Sequence, residues 1–104
     1  MYKSSSYFAK IYIINLPERT DRLKEVRPVL KQAGMPLDSG NVEIFPAVRV
    51  SDAMGFPSAS ARGCFLSHLT ILKKAFDLGL PNVLILEDDV EFSSVTQSAL
   101  PYIF

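Results

Sequence analysis

The chain has 104 residues, 48% of them hydrophobic and 21% charged, with eleven Lys and Arg against eleven Asp and Glu. That length gives one domain able to bury about two-thirds of its unfolded surface, enough for a modest core and tight for two-substrate chemistry. With no net charge, no field argues for nucleic acid or an anionic surface as the main partner, so a charged ligand must be read locally.

A single cysteine, Cys64, excludes an internal disulfide framework and a Cys-rich zinc site and fits a reducing compartment. The opening "MYKSSSYFAK" has no apolar stretch behind its charge, and Ile11 to Ile14 falls far short of the ~20 residues of a membrane span. The expected location is cytoplasmic.

Residues 1–9 are Ser-rich and aperiodic and read as a loose tail ahead of one domain over 10–104. Ile11 to Ile14 is β-branched and aromatic, ends at Asn15-Leu16-Pro17, and reads as a strand buried on both faces. From Thr20 or Asp21, either of which can cap, Leu23, Val26, Leu30 and Ala33 recur at helical spacing up to Gly34. Pro28 inside this helix predicts a kink or restart. Val42 to Phe45, closed by Pro46, is a second strand, and Arg49 to Ser60 is loop.

Ser60 is the expected cap of a second helix, with Phe65, Leu69, Leu72 and Phe76 as its apolar stripe and Gly79 as its stop. Val83 to Leu86 is a continuous apolar run with the length and flanks of a central parallel strand. Alternating strands and helices imply an α/β layered fold with a mostly parallel sheet, whose ligands gather beyond the carboxyl ends of the strands. Two polar clusters lie at such ends, Asn15 to Arg22 and Glu87 to Asp89.

If strand geometry persists through Glu87-Asp88-Asp89, Glu87 and Asp89 point to one side and Asp88 to the other. Two converging carboxylates resist ionising together, and Mg²⁺ or Mn²⁺ relieves that by accepting their oxygens alongside substrate phosphates. The plainer alternative is a strand running into solvent, its acids capping the next turn through Ser93 and Ser94. "LILEDD" also looks like the first strand of a response-regulator receiver domain, a reading that its place so late in the chain opposes.

Three stretches in order, "IYIINLPERTDRLKEV", "ARGCFLSHLTILKKA" and "VLILEDDVEF", resemble glycosyltransferase family 25, over about Ile11 to Phe92. The resemblance implies a Rossmann-like fold of the GT-A type, apparently incomplete. It implies a UDP-sugar donor, a hexose such as galactose as the group transferred, a lipooligosaccharide-like glycan as acceptor, and peripheral membrane association. The family's acidic motif falls on Glu87-Asp88-Asp89, so that Asp89, with Glu87 beside it, would bind Mn²⁺ or Mg²⁺, and Glu87 and Asp88 would orient the ribose or the metal's surroundings.

By the same resemblance Asn15 and Leu16 would line the nucleotide pocket, and Arg19 and Arg22 would hold phosphate oxygens at a helix start. Gly63-Cys64-Phe65-Leu66-Ser67-His68 matches the family's Gly-Cys-x-x-Ser-His, which gives Gly63 and the single histidine, His68, a donor-side role. Cys64 reads as a small buried hydrophobe rather than a nucleophile. No residue is nominated as the general base. The acceptor-binding half is expected to be absent, and the apolar end Leu100 to Phe104 calls for a partner, from a lost second half or another copy. A non-catalytic nucleotide- or metal-binding remnant is the alternative function.

Overall fold

In the structure, a computed structural model that describes residues 7–90, five elements alternate along the chain. They are β1 (Lys10–Asn15), α1 (Thr20–Gln32), β2 (Val42–Pro46), α2 (Ala59–Asp77) and β3 (Val83–Glu87). The strands form one open sheet in the order β2-β1-β3, with both pairings parallel. Ile13 stands opposite Ile44 on one side and Leu86 on the other, which fixes the register across the sheet.

The side-chain period of two sorts the core into two layers. Ile11 and Ile13 of β1 join Val26 and Leu30 of α1, with Val42, Ile44, Leu84 and Leu86 from the flanking strands. Tyr12 and Ile14 point the other way, to Ile71 of α2, with Phe45, Val83 and Ile85 beside them. Helices therefore cover both faces, as in Rossmann-like folds, and the expected α/β layered architecture with a parallel sheet is found.

The sequence expectations differ from the structure at definite places. The central strand is β1, whose Ile11, Tyr12 and Ile13 are wholly buried; Val83 to Leu86 is half-buried at one edge of the described sheet. A continuous apolar run reports that both faces are covered and says nothing about lateral position. Along α2 the expected stripe is reversed: Gly63, Ser67, Ile71 and Ala75 face inward, while Phe65, Leu72 and Phe76 are 51%, 52% and 85% exposed. Small residues let a helix approach a sheet closely, so this four-residue ladder wins over the bulkier one.

Helix ends follow local chemistry. Ser58, not Ser60, caps α2, its Oγ accepting from the Ala61 N–H at 3.0 Å. α1 starts after Arg19 without a side-chain cap, and Asp21 instead pairs with Arg19, whose hydrogen bonds draw its carboxyl down to about 2. Both helices close with a left-handed glycine, Gly34 (φ 78°) and Gly79 (φ 68°). Each is followed by the paired backbone bonds of a Schellman stop, Met35 to Leu30 and Leu80 to Ala75. Pro28 does not interrupt α1. The N–H it lacks would have served the carbonyl of Lys24, an exposed residue.

The end of the expected loose tail is tied down. Ala9 N–H donates to Asn82 Oδ1 at 2.7 Å, Asn82 Nδ2 donates to the Tyr7 carbonyl, and Phe8 packs against the α1-side core. Residues 1–6 and 91–104, the latter with Ser93, Ser94 and the apolar end Leu100 to Phe104, lie outside the described residues. No described helix is long and apolar enough to cross a membrane.

One buried polar atom stands out. Tyr12 is 0% exposed, its ring meets Phe45 edge-on at 6.4 Å, and Lys10 and Lys74 place ammonium groups 5.9 and 5.7 Å from its centroid. Its hydroxyl has no hydrogen-bond partner among the described residues. Tyr12→Phe is therefore expected to stabilise the chain by about 1 kcal/mol, since it removes an unsatisfied buried group and keeps the ring. A higher urea midpoint with unchanged slope checks this, and a lower midpoint contradicts it.

Candidate functional site

Topology puts a crevice at the carboxyl edge of the sheet. From β1 the chain returns through α1 to β2 on one side, then passes through α2 to β3 on the other. The strand order thus reverses about β1, and ligands of open parallel sheets settle beyond such a point. Here a cleft of about 340 Å³ opens, lined by Leu16, Arg19 and Arg22 beyond β1 and by Val48, Arg49 and Val50 beyond β2. Ser60, Gly63 and Cys64 of α2, Glu87 at the end of β3 and Asp88 and Asp89 beyond it add to the wall.

The acidic triplet does not continue as a strand. β3 ends at Glu87, and the Val90 N–H returns to the Glu87 carbonyl at 3.1 Å, closing a turn over Asp88 and Asp89. Strand alternation consequently stops at Glu87 and does not pair it with Asp89. Glu87 keeps the β3 phase of Val83 and Ile85 and faces α2, where Cys64 Sγ donates to its Oε1 at 3.4 Å. Asp89 is exposed at the cleft mouth.

Asp88 is the most firmly held of the three. Its N–H donates to the Ile14 carbonyl at 3.1 Å, and its Oδ2 accepts from Asn15 Nδ2 at 3.0 Å. Its Oδ1 lies 3.8 Å from the Arg22 guanidinium, and the side chain is only 16% exposed. Asn15 is 4% exposed and also donates to the Arg19 carbonyl at 3.3 Å. It is a strut beneath the cleft, tying the end of β1 to the turn after β3 and to the start of α1, and not part of the lining.

A second joint holds α2 against the exit of β2. Ser67 Oγ accepts from the Val48 N–H at 2.8 Å and donates to the Gly63 carbonyl at 2.9 Å, with Ser67 wholly buried. A β-carbon on Gly63 would lie 2.6 Å from the Val48 carbonyl oxygen. Arg62 adds a bond to Asp52 Oδ1 at 2.9 Å, holding the loop after β2 to the same helix. These contacts make one wall of the cleft.

Of the residues singled out from sequence, Leu16, Arg19, Arg22, Gly63, Glu87, Asp88 and Asp89 reach the cleft, whereas Asn15 supports it from below. His68 does not line it; its ring joins Cys64 and Glu87 within 4.8 Å. Asp89 is not in that group of donor atoms. Burial, and then the neighbouring Glu87 and Asp89 carboxylates, push the Cys64 thiol up, so it stays protonated and is no nucleophile.

Arg49, Val48 and Ser67 were not foreseen as part of the site. Arg49, in an aperiodic loop, had only its charge as a signal; it lines the cleft and pairs with Glu18. Arg19 is engaged by Asp21 at 2.9 Å, which raises the affinity of its guanidinium for its proton. The cleft lining thus combines three arginines with three acidic residues, Arg22 standing 3.8 Å from Asp88, a mixture able to hold an anion and a cation side by side.

Comparison with known proteins places the chain among glycosyltransferases. Residues 58–104 match the model of glycosyltransferase family 25 (LPS biosynthesis protein). The chain is 31% identical to procollagen galactosyltransferase 2 of Mus musculus over 107 residues, covering 88% of this chain and 17% of that protein. It is 29% identical to the lacto-N-neotetraose biosynthesis glycosyltransferase LgtB of Neisseria meningitidis serogroup B over 89 residues, covering 76% of this chain and 32% of the relative. A glycosyltransferase 25 family member of Drosophila pseudoobscura pseudoobscura is 33% identical over 104 residues, covering 79% of this chain and 16% of its own length. The chain therefore spans about a sixth to a third of the length of these curated relatives. No solved structure matches.

The joint at Gly63 has a measurable consequence. Alanine gains about 1 kcal/mol of helix propensity over glycine, but here its β-carbon meets a backbone oxygen that cannot swing away. Gly63→Ala is expected to destabilise by about 1–3 kcal/mol, the usual range for overpacking, and Ser67→Ala by a similar amount through the orphaned Val48 N–H. Urea midpoints of both variants check this; a Gly63→Ala protein more stable than the parent contradicts it.

Proposed function

Because this chain belongs to glycosyltransferase family 25, we propose that its cleft is the donor site of a hexosyltransferase that uses a UDP-sugar. The observation that carries this is the convergence of Arg19, Arg22 and Arg49 with Glu87, Asp88 and Asp89 on one cleft at the reversal point of the sheet. A nucleoside diphosphate needs such a mixture, cationic groups for its oxygens and carboxylates for its counter-cation. The printed name procollagen galactosyltransferase favours galactose as the sugar, and the family's description as an LPS biosynthesis protein favours a lipopolysaccharide-type glycan as the acceptor.

In this proposal the guanidinium groups take the diphosphate oxygens. Glu87 and Asp89, both exposed at the cleft, would hold Mn²⁺ or Mg²⁺ together with those oxygens, a small carboxylate set of the kind such ions accept. The ion supplies charge neutralisation as the UDP leaves. Asp88 contributes position: its bonds to Asn15 and the Ile14 carbonyl hold the turn that presents its two neighbours. Leu16 offers apolar surface for the base or ribose at the end of β1.

Calorimetric titration with UDP tests the reading. Binding is expected to require Mn²⁺ and to weaken by roughly tenfold or more in Asp89→Ala, since each lost charge-assisted contact removes about 1.5–3 kcal/mol. Arg22→Ala is expected to weaken UDP binding at every Mn²⁺ concentration, since it removes a phosphate partner and not a metal ligand. Absence of UDP binding at every Mn²⁺ concentration in a folded protein contradicts the proposal.

A further inference from the structure

Beside the cleft, the Cys64 thiol, a ring nitrogen of His68 and a Glu87 carboxylate oxygen lie within 4.8 Å of one another. We propose that these three side chains form a binding site for a borderline-soft divalent ion of the Zn²⁺ type, distinct in ligand chemistry from the Mn²⁺ or Mg²⁺ of a nucleotide donor. The site stands on its donor atoms and not on the nucleotide reading.

The fold explains why three unlike donors meet. Cys64 and His68 are four residues apart on α2, hence one above the other on the same side of the helix. Glu87 belongs to the β3 phase that points at α2, with Val83 and Ile85. The helix therefore supplies sulfur and nitrogen from above, and the end of the strand supplies oxygen from below. The Cys64 Sγ to Glu87 Oε1 separation is 3.4 Å. Two ligands bound tetrahedrally to Zn²⁺ at the usual Zn–S and Zn–O lengths stand about 3.6 Å apart, so this pair is already at coordination spacing. The His68 nitrogen, within 4.8 Å of both, is the third donor, and a shift of about 1 Å would bring it to the same spacing.

The donor set also selects the metal. Thiolate and imidazole favour Zn²⁺ and Co²⁺ over Mg²⁺ and Mn²⁺, which prefer oxygen shells. Three protein ligands leave the fourth position open, and with Cys64 and His68 half-buried and Glu87 exposed it opens toward the solvent and the cleft. On binding, the S–H proton that now bridges to Glu87 leaves to solvent and the thiolate takes the metal; nothing is oxidised or reduced. Glu87 thereby exchanges a thiol for a cation, and an ion held here occupies a carboxylate that the donor-site cation would share.

Titration of the full chain with Co²⁺ in the presence of a phosphine reductant tests the site by absorption, without substrate. One equivalent is expected to produce a near-ultraviolet thiolate-to-cobalt charge-transfer band together with intense visible bands of low-coordinate Co²⁺. Zn²⁺ should abolish both and excess Mg²⁺ neither. Cys64→Ser should remove the charge-transfer band, and His68→Ala and Glu87→Gln should each weaken Co²⁺ binding at least tenfold, with circular dichroism confirming that each variant is folded. Should Cys64→Ser fail to fold, the His68 and Glu87 variants carry the test alone. No charge-transfer band in the parent chain, or a band of equal affinity in folded His68→Ala, overturns the proposal.

Discussion

The backbone of α2 meets the backbone leaving β2 at Gly63, where a β-carbon would sit 2.6 Å from the Val48 carbonyl oxygen. Ser67, one turn on, bonds both partners and so locks the helix to the strand exit through a single hydroxyl. Everything at the cleft depends on this proximity. It sets the inward ladder Gly63, Ser67, Ile71 and Ala75, and that ladder fixes the rotation of α2. The same rotation directs Cys64 and His68 toward Glu87 and leaves Phe65, Leu72 and Phe76 outward.

The opposite wall is tied together by polar groups that would be costly if left alone. A buried amide and a largely buried carboxylate, Asn15 and Asp88, satisfy each other across the ends of β1 and β3, with Arg22 adding charge compensation. The result assigns different work to three adjacent acids. Asp88 is structural support, Glu87 faces a helix, and Asp89 is left to the solvent of the cleft. Concentrating like charges at one point is tolerable because Arg22 lies 3.8 Å from Asp88 and Arg19 and Arg49 line the same cleft.

Much of this was legible in the chain. The positions of β1, β2 and the acidic strand end were evident from β-branched runs closed by Pro or acid, and the order of strand and helix implied a parallel sheet with its ligands at the carboxyl ends. Gly63 and Cys64 of the Gly-Cys-x-x-Ser-His stretch share the cleft with Glu-Asp-Asp, while His68 stands outside its lining. What was misread was orientation. Helical spacing finds two candidate faces on α2, and hydrophobicity alone selects Phe65, Leu69, Leu72 and Phe76; the buried face is chosen by steric approach at Gly63, a property of the partner strand. The role of Asp88 was hidden for a related reason. Its partner Asn15 is 73 positions away, and strand alternation gave no warning that a turn would begin at once after Glu87. Arg49 lies in a stretch without periodicity, where sequence carries little positional information.

The central claim is that the carboxyl edge of this sheet, and no other surface of the described chain, receives a nucleoside diphosphate. Amide chemical-shift mapping on the ¹⁵N-labelled chain, titrated with UDP in Mg²⁺, tests it most directly. Perturbations should concentrate at Leu16, Arg19, Arg22, Arg49, Gly63 and Glu87 to Asp89, the residues that line the cleft. Perturbations confined to the exposed face of α2 around Leu72 and Phe76, or none at saturating UDP, would contradict the account.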